Sequence, residues 1–394
     1  MRPLRVAIVG GSIGGLNTAC LLRDAGHDVT VFERSSTELE QRGAGIGFLE
    51  ATSRYLIKRA GLDIEAISIA TDVIRYVGRS GRMVHEQAHR YRFSSWNTVY
   101  RELLAAFGGE RYRLGHEMVS WETASDVVGV TFANGASIEA DLLVCADGVG
   151  SGARANLLPE VSASYAGYVA WRGMVPEAQL EPVLATKLGQ AITYYVFANS
   201  HILVYPIPGL DGSVAPGERL INFVWYRNYL EGEELDELLT DRRGTRRQLS
   251  LPPGTVADHH HDEVRAMAAA RLPAEVAEVV LGTEELFLQV VYDIEVERMA
   301  FGRVCLVGDA ACVARPHAAA GTAKAAEDGW ALVDALSRAD SIERALDDWG
   351  PGQVRLGRDL VARARRIGCR SQVDNDWRPG DPELLFGLHH AGEG

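Results

Sequence analysis

VAIVGGSIGGL, the stretch from Val6 to Leu16, decides how this chain begins to fold. Its opening apolar run predicts a buried strand at Arg5–Val9, and the residues from Gly14 to Ala25 predict a helix that Gly26 ends. The next apolar run, Val29–Phe32, predicts a second strand. Strand, glycine turn, helix and strand together predict a βαβ unit of an α/β fold with a parallel sheet.

The turn after the first strand follows the GxGxxG spacing of dinucleotide-binding proteins, with one departure. Gly10 and Gly15 take the outer glycine positions, whereas Ser12 adds bulk where the backbone approaches a pyrophosphate. Glu33 ends the second strand, where a carboxylate accepts hydrogen bonds from a ribose that lacks a 2′-phosphate. The alternative is a glycine turn that only packs a helix on a sheet. The first interpretation assigns cofactor contacts to Gly10, Gly11, Ser12, Ile13, Gly14, Gly15, Glu33 and Arg34.

Two further glycine turns follow apolar runs much later in the chain. LLVCADGVGSGAR, at 142–154, places Asp147 and Gly148 in a tight turn, and Arg154 one helical turn on, as a cation for a pyrophosphate or a nicotinamide phosphate. A capped helix with a surface arginine is the alternative. VCLVGDAACVARP, at 304–316, ends a third strand at Asp309.

The third turn has the features of a flavin site. Asp309 suits a ribitol hydroxyl, the helix predicted from Gly321 directs its positive end at the flavin ring, and Pro316 stiffens the wall beside that ring. One extended FAD that touches all three strand ends is the economical explanation. The loop with Gly43, Gly45 and Gly47 is either a flavin-facing loop or a connector. The third turn and this loop add Gly47, Gly308, Asp309, Ala320, Gly321 and Thr322 to the cofactor contacts.

Composition excludes several classes of protein. The chain has 394 residues, 47% of them hydrophobic, and a net charge of -13, which argues against nucleic acid or an anionic membrane as a partner. No apolar stretch is long enough for a membrane helix, and we expect a cytoplasmic protein. The five cysteines form no CxxC pair. The run His259–His261 is expected in a solvated loop, where consecutive histidines cannot all face one ion, so no metal site is expected.

The three motifs resemble those of the class A flavoprotein monooxygenases, the p-hydroxybenzoate hydroxylase family, over residues 5 to about 340. SYAGYVAWRG at 164–173, YPIPG at 205–209 and RPHAAAG at 315–321 are similar to its hydroxypyridine-hydroxylase subgroup. The wider family usually has other residues at Ser12, Cys312, Ala319, Ala320 and Ala323. Arg101 fits the family's helical arginine that reaches toward the flavin, although an ordinary surface arginine fits the same helix.

The resemblance implies an FAD-dependent aromatic hydroxylase, which uses NADH, or else NADPH, and molecular oxygen through a C4a-hydroperoxyflavin. Its substrate is an electron-rich hydroxypyridine or phenol, and base rates favour a homodimer. A flavin reductase or halogenase is an alternative, and a non-catalytic NAD-binding sensor is another. A sensor leaves the second and third turns without a role.

The resemblance also implies two domains of the p-hydroxybenzoate hydroxylase fold. A Rossmann-like FAD-binding domain with a parallel sheet takes residues 1–70, 95–163 and 295–345. A β-sheet substrate domain takes 71–94 and 164–294, and 346–394 form a C-terminal helix and a tail whose end is expected to fray. Strands that cover a pocket are predicted at 193–197, 201–208 and 221–229. The catalytic candidates, each of which has a structural alternative, are His317, Pro316, Tyr205, His201 and Tyr226.

Overall fold

The strands and helices of this chain are taken from a computed structural model, which describes residues 2–39 and 44–393. The strands are β1 (Arg5–Val9), β2 (Asp28–Phe32), β3 (Gly45–Gly47), β4 (Ile69–Val77), β5 (Met83–Ser95), β6 (Tyr112–Arg113), β7 (Met118–Ala124), β8 (Val127–Phe132), β9 (Ser137–Ala140), β10 (Leu142–Cys145), β11 (Ser164–Pro176), β12 (Ala191–Phe197), β13 (Ser200–Ile207), β14 (Leu220–Asn228), β15 (Ser250–Leu251), β16 (Phe287–Asp293), β17 (Ala300–Phe301) and β18 (Val304–Leu306). The helices are α1 (Ile13–Asp24), α2 (Glu50–Lys58), α3 (Ile64–Ile67), α4 (Trp96–Phe107), α5 (Gly152–Leu157), α6 (Pro182–Gly189), α7 (Glu233–Leu238), α8 (Asp258–Arg271), α9 (Ala274–Gly282), α10 (Gly321–Arg338) and α11 (Ile342–Gln372).

A six-stranded sheet gathers the three glycine turns at one edge. Its order is β17-β18-β10-β1-β2-β6; β18, β10, β1, β2 and β6 run parallel to one another, and β17 pairs antiparallel with β18. The strands are short apolar runs because helices cover the sheet and leave their residues buried. Since parallel strands end at the same edge, the turns after β1, β10 and β18 lie side by side. The mixed α/β fold predicted from the sequence is therefore confirmed.

A nine-stranded sheet, of order β15-β16-β11-β14-β13-β12-β4-β5-β3, forms the second layer. Its side chains alternate between two faces. One face packs on α8 and α9 in an apolar core, and the other presents polar and aromatic residues. The strands predicted near 193–197, 201–208 and 221–229 are confirmed as β12, β13 and β14.

One sequence expectation needs correction. The histidine run lies in the first turn of α8 and not in a loop. Strand β3, which lies within the segment 1–70 assigned to the FAD-binding domain, pairs with β5 of the nine-stranded sheet. In the tail, Leu384, Phe386 and Leu388 are buried. Gly43 lies outside the described residues. No helix in the described residues is long and apolar enough to cross a membrane.

Candidate active site

All three glycine turns line one cavity of about 360 Å³ between the two sheets. Ser12, Ala146 and Gly308 each represent one turn in its wall. The opposite wall comes from the polar face of the nine-stranded sheet, and the segment from Pro316 to Thr322 supplies much of the rest. Turns that are far apart in the sequence therefore meet at one site, as a single extended ligand requires.

The first turn needs its glycines because the neighbouring strand end is very close. Gly10 has a φ of +103°, and a Cβ there would lie 2.1 Å from the Ala146 carbonyl oxygen. A Cβ on Gly15 would lie 1.9 Å from the Gly10 carbonyl oxygen. Ser12 caps α1 with no hydrogen bond from its side chain to the helix, so its hydroxyl and the first amides of the helix are available to a phosphate. This arrangement fits the pyrophosphate of FAD.

Glu33 is buried beside the first turn. Its Oε2 accepts a hydrogen bond from Gly11 N at 2.9 Å, and its Oε1 accepts one from Ser35 N at 2.8 Å. Each carboxylate oxygen keeps capacity for a further donor, so contact with a ribose hydroxyl stays a prediction. Arg34 is exposed, and neither Glu33 nor Arg34 lines the cavity.

The second turn is closed by Asp147 and joined to the third by Arg154. Asp147 accepts hydrogen bonds from Ser151 Oγ at 2.6 Å and from Ala153 N at 3.1 Å. The buried Arg154 guanidinium donates to the carbonyl oxygens of Asp309 and Ala310 at 3.2 and 2.9 Å. This geometry differs from the expected phosphate-facing cation, because the donors of Arg154 already serve the backbone. The position of Arg154 therefore supports a structural role, in which its side chain joins the second turn to the third.

The third turn presents Asp309 to the cavity. The side chain is exposed because the cavity is open, yet the surrounding protein raises the pKa of its carboxyl to about 6 by displacing water. Water in the open cavity still solvates the carboxylate, so we expect the full shift only when a ligand excludes that water. A hydroxyl of a bound ribitol would then replace the lost hydration.

A buried ion pair on α10 stabilises the backbone of the third turn. Lys324 and Asp328, one helical turn apart on α10, are 1% and 0% exposed, and Lys324 Nζ contacts Asp328 Oδ1. Asp328 Oδ2 accepts a hydrogen bond from Gly308 N at 2.9 Å. Sequence reasoning missed both residues, because an i, i+4 acid and base usually form an exposed pair. Here the pair fixes the backbone that presents Asp309.

Ala319 and Gly47 meet where the third turn approaches β3. Ala319 has a φ of +52°, which is left-handed. A Cβ on Gly47 would lie 2.7 Å from the Ala319 Cβ, so only glycine fits there. Both residues line the cavity, which favours a flavin-facing loop at Gly47 over a connector.

Tyr205 supports that loop. Its hydroxyl donates to the Gly45 carbonyl oxygen at 3.0 Å, while Gly45 N donates to Asn222 Oδ1 at 3.1 Å. Burial raises the pKa of Tyr205 to about 12, so the hydroxyl keeps its proton. The catalytic role expected for Tyr205 gains no support, because its proton is already engaged with the backbone.

Three other catalytic candidates form one buried aromatic cluster in the cavity wall. The ring centroids of His317 and Tyr226 lie 4.4 Å apart, and those of His201 and His317 lie 5.3 Å apart. Burial lowers the pKa of His201 to about 3 and lowers that of His317 as well, so both imidazoles are neutral at neutral pH. Pro316 lines the cavity next to His317. The structure thus gathers His201, Tyr226, Pro316 and His317 at one wall.

A hydrogen-bonded chain outside the predicted set fixes His317. Arg315 is ion-paired with Asp293 at 2.9 Å and contacts the Tyr168 hydroxyl oxygen at 3.4 Å. The guanidinium can only donate, so Tyr168 accepts from it and gives its own hydrogen to His317 Nε2 at 2.7 Å. We therefore assign the proton of His317 to Nδ1, which leaves an N–H donor on the ring.

Arg172 is the one cation among the described residues that line the cavity. No ion pair joins it to a described carboxylate, and its buried Nε has no hydrogen-bond partner in the described structure. Arg101 does not line the cavity, because its guanidinium donates to the Leu210 and Asp211 carbonyl oxygens. The contact of Arg101 with the flavin that the resemblance implies therefore gains no support from this geometry, and Arg172 was not among the residues chosen from the sequence.

The C-terminal segment completes the cavity, which the sequence did not indicate. Trp377 and Phe386 both line it. Trp377 packs in a tilted arrangement against His201, with 4.8 Å between ring centroids, and Phe386 N donates to the Tyr91 hydroxyl at 2.9 Å. The tail thereby helps to exclude water from the site.

Comparison with known proteins places the chain in a family. Residues 8–37 match a model of an NAD(P)-binding Rossmann-like domain, and residues 165–293 match an FAD binding domain-like model. The 2,6-dihydroxypyridine 3-monooxygenase of Paenarthrobacter nicotinovorans is 35% identical over 390 residues, which cover 99% of this chain and 97% of that protein. The chain therefore belongs to the class A FAD-dependent monooxygenases, the aromatic hydroxylase family.

Solved structures agree with this assignment. The 2,6-dihydroxypyridine-3-hydroxylase from Arthrobacter nicotinovorans has a TM-score of 0.92 and 35% identity over 98% of this chain and 97% of its own. HpxO of Klebsiella pneumoniae complexed with FAD and uric acid shares the fold, with a TM-score of 0.77 and 23% identity over 97% of this chain and 90% of its own. The chain is an FAD-dependent monooxygenase that hydroxylates an aromatic or heteroaromatic substrate with molecular oxygen. The relatives give no support to a sensor, a reductase or a halogenase.

Proposed function

We propose that this monooxygenase hydroxylates a small hydroxypyridine that binds as an anion, with NADH as the electron donor. Arg172 is the observation that carries this proposal, because it brings an uncompensated positive charge to the cavity. A cation within about 4–6 Å favours ionisation of a ring hydroxyl by 1–3 pKa units. The 2,6-dihydroxypyridine substrate named for the relative from Paenarthrobacter nicotinovorans supports the same class.

The residues of this chain would bind and polarise the substrate. Bound FAD supplies hydride acceptance from the reduced nicotinamide and activation of oxygen. Arg172 holds the ionised ring oxygen, and His317 offers its Nδ1–H as a second donor. Ionisation makes the ring electron-rich, which electrophilic oxygen transfer requires. Neutral His201 and the rings of Tyr226 and Trp377 exclude water without adding a competing charge.

Substrate-stimulated NADH oxidation across a panel of hydroxypyridines and phenols tests the proposal. We expect 2,6-dihydroxypyridine-like compounds to stimulate oxidation most and to gain one oxygen by mass. Arg172→Gln should raise KM for these anions at least tenfold, while the conservative Arg172→Lys should keep part of the affinity. A panel in which uncharged phenols are preferred, or a KM unchanged in Arg172→Gln, would contradict it. Parallel assays with NADPH decide the nicotinamide donor.

We also propose that Asp309 holds the ribitol of FAD. Asp309→Ala removes a hydrogen bond worth about 1–3 kcal/mol when a charged group takes part. We therefore expect FAD to dissociate about tenfold or more readily, measured by flavin fluorescence on dilution. The exposed Asp211→Ala is the control, and equal FAD affinity in both variants counts against the assignment. The homodimer and the cytoplasmic location expected from the sequence stay predictions.

A further inference from the structure

A second cluster of ligand-type side chains lies outside the cavity, where α7 meets α8. Glu237 on α7 faces two neighbouring histidines in the first turn of α8. His259 Nε2 lies 2.7 Å from Glu237 Oε1, and His260 Nε2 lies 3.2 Å from Glu237 Oε2. The three ligand atoms fall within 4.8 Å of one another, and none of these residues lines the cavity.

His260 is the unexplained member of this cluster. Its ring is 5% exposed, yet neither ring nitrogen makes a hydrogen bond to any described residue. The 3.2 Å approach of Nε2 to the carboxylate lacks the alignment of a hydrogen bond. Glu263 lies 3.8 Å from Nδ1 but is shared with Arg227. A buried polar group without a partner costs about 1–3 kcal/mol, so a missing ligand would account for the arrangement.

We propose that Glu237, His259 and His260 bind one transition-metal ion of the zinc type. Two imidazole nitrogens and one carboxylate are ligands that zinc accepts at about 2.0–2.2 Å, and water completes a tetrahedron. Such bond lengths put ligand atoms a little over 3 Å apart, which the His260 Nε2 to Glu237 Oε2 separation matches; His259 Nε2 would exchange its hydrogen bond with Glu237 Oε1 for the metal. The acidic first turn of α7, with Glu233, Glu234 and Asp236, adds negative potential.

The site would join two elements that the sequence separates. Glu237 lies 22 residues before His259, and only their packing brings the ligands together. A metal there cross-links α7 to α8, next to the sheet that forms the substrate wall. The objection that three consecutive histidines cannot face one ion does not apply, since the cluster leaves out His261.

Zinc titration of the untagged, FAD-loaded enzyme tests this site. After treatment with a chelator, isothermal titration should show one Zn²⁺ per chain, and the unfolding temperature should rise with zinc. Excess Mg²⁺ should not compete, because it prefers oxygen ligands. Absence of saturable zinc binding would overturn the proposal.

The neighbouring histidine provides a matched control. Glu237→Gln and His259→Asn should each weaken zinc binding at least tenfold, while His261→Asn should leave it within twofold. Retained FAD in every variant shows that the fold is intact. Equal losses in His259→Asn and His261→Asn, or full binding by Glu237→Gln, would show that zinc binds elsewhere and would refute the assignment.

Discussion

Ala319 keeps a left-handed backbone conformation in the wall of the active site. An alanine in the left-handed conformation costs about 1–2 kcal/mol. Replacement by glycine removes this cost, but the greater freedom of glycine in the unfolded chain offsets about 0.4–1 kcal/mol of the stabilisation. Ala319→Gly should therefore raise the free energy of unfolding by about 0.5–1 kcal/mol in urea denaturation. Ala331→Gly, in the helix interior of α10, is the control and should lower it by about 1 kcal/mol. Destabilisation by both changes would show that Ala319 is not strained.

His201 gives the stability of the protein a specific pH dependence. Its folded pKa is about 3, below the ordinary 6.5, so the unfolded chain binds a proton that the folded chain rejects between these values. Stability is complete above pH 6.5 and falls as the pH drops toward 3. From pH 6.5 to pH 5 the loss from this residue is about 2 kcal/mol. His201→Gln should flatten the urea-derived profile by that amount, whereas the exposed His389→Gln should not. An unchanged slope in His201→Gln would contradict the buried neutral state.

At the scale of the element, helix α10 carries two acid and base pairs with the same spacing and different burial. Asp328→Asn leaves the buried Lys324 charge without its partner and weakens the hydrogen bond from Gly308 N. We therefore expect the free energy of unfolding to fall by about 3–5 kcal/mol and FAD to be retained less well. Asp334→Asn breaks the exposed pair with Arg338 and should cost less than about 1 kcal/mol. Urea denaturation and flavin release measure both effects. Equal costs would show that burial does not govern the Lys324–Asp328 pair.

The elements around the cofactor were predictable because each carries a local signal. The apolar runs and glycine turns of the sequence correctly predict strands β1 and β10 and the start of α10 at Gly321. Helix α8 was missed, because PPGT and a polar histidine run resemble a loop locally. Its buried residues Val264 and Ala268 pack on the sheet, and that tertiary contact decided the structure.

At the scale of the whole molecule, the cofactor side of the site could be predicted more fully than the substrate side, where only His201, Tyr205, Tyr226, Pro316 and His317 were chosen from the sequence. The cofactor motifs can be recognised in the sequence, because glycine is required wherever two backbone segments nearly touch. Arg172, Tyr168 and Trp377 come from segments that meet only after folding. Arg172 lies in β11, and the alternation of side chains along a strand predicts which face of the sheet it occupies. It does not predict which charged groups lie opposite that face. The burial of the tail likewise depends on contacts with β5, as in Phe386 with Tyr91.

We propose above all that the cavity between the two sheets is where FAD, molecular oxygen and an ionised hydroxypyridine react. Turnover of 2,6-dihydroxypyridine with NADH under ¹⁸O₂, followed by mass spectrometry of the product, tests it most directly. We predict one ¹⁸O atom in the ring product for each NADH oxidised, with both product and flavin lost in Asp328→Asn. NADH consumption without labelled product, or product labelled from water, would contradict the account.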